Sequence, residues 1–129
     1  MKQMLLQEKY PVYTIEMQKD EMRYNTMDNV IDYFLGEIEG HPAATYIALF
    51  DHYNHTKNLE NGEINPEIIN AYDIVFCFGI KIPNPQVLAV RPRSIGIAEM
   101  QDCFVISFME APMPIANEAM ETWARGLKI

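Results

Sequence analysis

The chain has 129 residues and a formal net charge of −8, with 49% hydrophobic and 22% charged residues. That length fits one domain spanning 1–129, able to bury roughly two thirds of its unfolded surface without disulfides or a structural metal. The acidic balance speaks against nucleic-acid partners, and no run approaches the roughly 18 apolar residues of a membrane helix.

Met1 to Glu8 carries an apolar stretch too short for a signal peptide. Cys77 and Cys103 have no framework spacing, so a soluble cytoplasmic protein is expected. Pro11 to Met17 alternates, with Tyr13, Ile15 and Met17 on one side, and predicts a strand with one apolar face. Asn25 or Thr26 caps the next element. Its Met27, Val30, Ile31, Phe34, Leu35 and Ile38 make a helical stripe, ended by Gly40, His41 and Pro42.

Ala43 to Phe50 predicts a second strand, central because it is apolar on both faces from Ile47 on. Gly62 suits a turn, and Asn65-Pro66 predicts a short helix to about Tyr72. Ile74 to Phe78 reads as a buried strand closed by Gly79. Asn84-Pro85 starts a short helix over 86–90, although Val87 to Val90 also fits a strand. Ser94 to Glu99 and Cys103 to Met109 form a hairpin. Pro112 and Pro114 introduce a last helix with Ile115, Ala119, Met120, Trp123 and Leu127 on its apolar face. This order predicts an α+β fold: a single mixed β-sheet of about five strands, two main helices packed on it, and short connecting helices. Helices on one face leave the other needing cover, which a homodimer supplies.

The run Ile47-Ala48-Leu49-Phe50-Asp51-His52, then Gly62, Phe78-Gly79 with Pro83, and Pro92 resembles domain-of-unknown-function family 302 or a sister family of the same fold. The resemblance spans roughly Val12 to Phe108. It implies an α+β domain that often pairs as a dimer, and it implies no reaction.

Asp51-His52-Tyr53-Asn54-His55 is the one concentrated polar cluster, and it follows a predicted strand, where sites tend to lie. On a helix, Asp51 and His55 share a face at i, i+4, and His52 and His55 are neighbours at i, i+3. Imidazoles and a carboxylate can hold a metal, with His52 and His55 the candidate ligands, but a site needs three or four ligands and none is predicted. His52 or His55 could also work as acid or base with Asp51 orienting it. The plainer reading is that Asp51 caps the following helix and His52 makes one structural hydrogen bond.

Arg91 and Arg93 could grip an anionic ligand or serve as surface arginines facing carboxylates. Cys77, among apolar neighbours, reads as inert, and Cys103 beside Asp102 as an exposed thiol at a hairpin tip. The first functional expectation is a homodimeric small-ligand or partner-binding module, with Asp51, His52, His55, Arg91 and Arg93 as ligand-binding candidates and no cofactor. The alternatives are a small enzyme using Asp51, His52 and His55, with or without a metal, and a structural or regulatory subunit.

Overall fold

A computed structural model describes residues 1–7 and 9–129 and sets six strands into one sheet. The strands are β1 (Lys2–Leu6), β2 (Tyr10–Gln18), β3 (Ala44–Phe50), β4 (Asn70–Phe78), β5 (Arg93–Glu99) and β6 (Cys103–Met109). Their order is β1-β2-β6-β5-β4-β3, and every neighbouring pair is antiparallel. The α+β class holds, but the mixed sheet of about five strands is corrected on both counts.

The extra strand is β1, whose residues are all exposed and so carry no burial pattern. The missing parallel pair has a topological cause. A thirteen-residue helix α1 (Met27–Glu39) carries the chain across the sheet from β2 to its far edge. β2 and β3 run the same way but are separated by β6, β5 and β4.

β3 is therefore an edge strand and not a central one. Tyr46, Ile47, Leu49 and Phe50 are 38 to 51% exposed, and the register with β4 shifts between Tyr46 and Ala48. The expected helix after Asn65-Pro66 is a turn instead. Asn65 Oδ1 accepts from the Glu67 N–H at 2.9 Å, and β4 begins at Asn70. The segment Pro85–Val90 is a 3-10 helix with proline at its first position, and the Asn84 side chain accepts from the Val87 N–H at 2.9 Å.

Two helices cover one face of the sheet. Thr26 caps α1 by accepting from the Asn29 N–H at 3.3 Å, and Val30, Ile31, Phe34 and Ile38 are buried along the predicted stripe. The last helix, α3 (Pro114–Arg125), buries Ala116, Ala119, Met120 and Trp123, while Ile115 stays 51% exposed. Beneath them lie Met17 of β2, Ile74, Phe76 and Phe78 of β4, Ile95 and Ile97 of β5, and Phe104, Ile106 and Phe108 of β6. Trp123 stacks on Phe78 with centroids 5.7 Å apart, and the Tyr33 hydroxyl donates to the Trp123 carbonyl at 2.6 Å. Side chains alternate along strands, so the residues between these point to the opposite face, which α1 and α3 leave open. No helix among the described residues is long and apolar enough to cross a membrane.

Candidate functional site

The polar cluster sits where β3 gives way to the short helix α2 (His52–Lys57). Asp51 is the N-cap: its carboxylate accepts from the Asn54 N–H at 3.1 Å and from Asn54 Nδ2 at 2.7 Å. The Tyr72 hydroxyl adds a third donor at 3.2 Å. The side-chain and backbone hydrogen bonds from Asn54, helped by Tyr72, hold this carboxyl below the usual aspartate value against a smaller desolvation cost. Burial and the Asp51 charge raise the Tyr72 hydroxyl in turn.

A carboxyl with a lower pKa folded than unfolded adds stability above its unfolded value, near pH 4, and that contribution fades as pH falls through the folded value. Asp51→Ala should thus melt below the wild-type protein at pH 7, with the gap narrowing toward about pH 3. Paired thermal melts check this, and an equal gap at both pH values would remove the charge from the account.

With Asp51 so engaged, His52 takes its carboxylate from elsewhere. His52 Nδ1 lies 2.8 Å from Asp73 Oδ2, with side chains 53% and 31% exposed. Asp73 sits on β4 between Tyr72 and Ile74 and faces away from α1 and α3, on the side of Val75 and Cys77. Both imidazoles of α2 lean on Phe50, with ring centroids 5.1 Å away, and their own centroids are 6.3 Å apart. Among the described residues no three of His, Cys, Asp and Glu come together to hold a metal ion.

Beside this pair lies a cleft of about 290 Å³. His52, Tyr53 and Thr56 of α2 form one wall, Glu63, Ile64, Asn65 and Ile68 the other, and Ala71 of β4 completes the lining. Ile64, Ile68 and Ala71 make it apolar, and His52, Glu63 and Thr56 supply polar groups. Sequence reasoning passed over Asp73 and Glu63. The signal for Asp73 was a single carboxylate inside the apolar run from Tyr72 to Phe78, at the period-2 position away from the core.

The arginines lie apart from this cleft. Arg93 opposes Phe76 and shares the helix-covered face, whereas Asp73 opposes Gly96 on the other. Arg93 donates to the carbonyls of Val90, Met109 and Glu110 at 3.1, 2.7 and 3.0 Å, and burial lowers its pKa. Arg91 donates to the Lys81 carbonyl at 2.7 Å and reaches Met113 Sδ at 3.7 Å. Both guanidinium groups tie the loop around Pro92 to its surroundings.

Both cysteines are free. Cys103 is not the exposed thiol expected at a hairpin tip: as the first residue of β6 it is buried, and its Sγ donates to Glu16 Oε1 at 3.4 Å. Burial, then Glu16, raise its pKa. Cys77 is half-buried on the face opposite α1 and α3.

The chain belongs to the family of unknown function DUF6858, whose model matches residues 1–129. This replaces the resemblance to family 302 while leaving the reading of an uncharacterised family in place. No curated protein matches the chain.

Proposed function

We propose that this member of DUF6858 is a homodimeric small-ligand-binding module whose ligand lies in the α2 cleft against His52. The observation that carries the reading is a histidine fixed by Asp73 at 2.8 Å on the wall of a concavity of about 290 Å³. Apolar lining with a few converging polar groups is the usual make-up of a small-molecule site, and this volume is at the small end of such sites. When Nδ1–H donates to Asp73, Nε2 keeps its lone pair, and the ring is held in one orientation. Glu63 adds an acceptor, so the cleft suits a metabolite-sized ligand with an apolar body and hydrogen-bond donors.

The reading places the module in the cytoplasm, where free thiols such as Cys77 and Cys103 stay reduced. Nucleic acid is not a proposed partner, given the net charge of −8.

The His52–Asp73 pair also has the form of a general base with its orienting carboxylate, which is the observation favouring an enzymatic second reading. The binding reading stands ahead because an acid–base enzyme needs a reacting partner group that this cleft does not identify.

A metabolite-sized fragment library screened by amide NMR tests the proposal. Hits should move the amides of Tyr53, Ile68 and Ala71. Ile68→Trp, which fills the cleft, should abolish them, and His52→Ala should weaken them up to about tenfold, as the loss of a hydrogen-bond partner does. Hits that ignore all three amides, or persist in Ile68→Trp, would defeat the assignment.

A further inference from the structure

We infer that the α2 cleft selects a small organic monoamine, held by its ammonium against Glu63 and by its apolar body against Ile64 and Ile68. The inference rests on the cleft reading above and names the class of ligand within it. The charges of the cleft carry it. Among the eight lining residues Glu63 alone has a formal charge. Its carboxylate makes no ion pair among the described residues, whose pairs are Lys19–Glu99, His52–Asp73 and Arg125–Glu121. The surroundings have the same sign. Residues 51–73 hold Asp51, Glu60, Glu63, Glu67 and Asp73 against one lysine, Lys57. Lys57 lies over the Tyr53 ring at 6.0 Å and is not part of the lining. A cleft edged by one sign of charge gathers ligands of the other. The guanidinium groups suited to an anion are elsewhere, donating to carbonyls around Pro92. A carboxylate or phosphate ligand would meet only the neutral donors of Thr56 and Asn65, with Glu63 repelling it.

The acceptors of the cleft match an ammonium. An ionised carboxylate accepts through both oxygens and donates nothing. His52 Nδ1 is engaged by Asp73 at 2.8 Å, so in the tautomer that donates from Nδ1 the other ring nitrogen is a second acceptor, on the wall facing Glu63. A primary ammonium carries several donors and no acceptor, so it suits both walls, where an alcohol with its lone donor suits one. The apolar part follows from the rest of the lining. Ile64, Ile68 and Ala71 supply surface for one aryl or alkyl body, and a volume of about 290 Å³ lies at the small end of ligand sites. A second ammonium on the same molecule would find no further carboxylate in the lining, which fixes the class as monoamines.

Amide-detected NMR titrations of the full chain with phenethylamine, phenethyl alcohol and phenylacetate test this, since the probes share an aryl body. Phenethylamine, protonated at neutral pH as a lysine is, should move the amides of Tyr53, Ile68 and Ala71. Its Kd should lie about fivefold below that of the alcohol, the upper end for an exposed ion pair. Phenylacetate should bind more weakly than either. Glu63→Gln should bring the amine to the alcohol's Kd and leave the alcohol unchanged. Glu60→Gln removes the same charge from outside the lining and should change the amine's Kd by less than about twofold. An alcohol or a phenylacetate that binds as tightly as the amine overturns the inference, as does an amine advantage that survives Glu63→Gln or falls as far with Glu60→Gln. Each of these leaves the cleft reading standing, because the cleft amides still respond. If no probe moves those amides the inference fails too, and the fragment library then decides the cleft reading: hits of another class at the same amides keep it, and none there rejects it as well.

Discussion

An alanine in place of Phe76 should cost about 3–5 kcal/mol of folding stability, the range for emptying a buried aromatic site that cannot collapse. Phe76 is 0% exposed near the end of β4, with Phe78 and Trp123 at centroid distances of 5.5 and 5.8 Å. Neither neighbour is free to fill the void. Phe78 is fixed by its strand register and by stacking on Trp123, and the Trp123 backbone is held by the Tyr33 hydroxyl at 2.6 Å. For a domain of this size the loss corresponds to a melting temperature lower by roughly 10–20 °C. Ile115→Ala is the matched control. Ile115 lies on α3 with 51% exposure, so its truncation should stay within about 0.5 kcal/mol. Denaturant titrations of the two variants check the pair, and a Phe76→Ala cost under about 1 kcal/mol would mean that the helices do not seal this face.

The contrast between Phe76 and Ile115 also shows what periodicity can and cannot specify. The α1 stripe repeats at i, i+3, i+4 over three turns and bounds its own buried face, so both its cap at Thr26 and its core side follow from local residues. The Asn84-Pro85 start and the β5–β6 hairpin are local in the same sense. Sheet order is not. Apolar residues on both faces of Ala44–Phe50 argue for cover, and nothing within seven residues reveals that the strand lies at an edge. β1 is exposed throughout, so burial leaves no mark on its sequence. Asn65-Pro66 carries helix-start chemistry, yet a turn followed by early pairing of β4 with β5 takes its place.

The site divides along the same line. His52 and His55 come together because they share one short helix, a local fact. The carboxylate that meets His52 stands 21 residues away on another strand, reached only through the β3–β4 pairing. Asp51, adjacent in sequence, is spent on the helix start instead.

Gly62→Ala should cost about 1–3 kcal/mol, the usual range for forcing atoms into an occupied space. Gly62 reads as a turn glycine, but no glycine has a positive φ, so backbone freedom is not what the position requires. Space is. A Cβ there would overlap the Thr56 carbonyl oxygen and lie 3.0 Å from that carbonyl carbon and 3.2 Å from Leu59 Cβ. The obstacle is backbone at the end of α2, so no rotamer change relieves it. Either the last turn of α2 moves or the turn after it swings out, breaking the Gly62 N–H to Leu59 carbonyl bond of 3.1 Å. Thr56 belongs to one wall of the cleft and Glu63, next to Gly62, to the other, so both routes open the cleft. The variant should therefore shift the amides of Tyr53, Thr56 and Ala71 while leaving those of Ile95 and Ile106, deep under the helices, in place. A Gly62→Ala protein with unchanged stability and unmoved cleft amides would show that α2 and this turn do not touch, and the cleft would lose the contact that joins its walls.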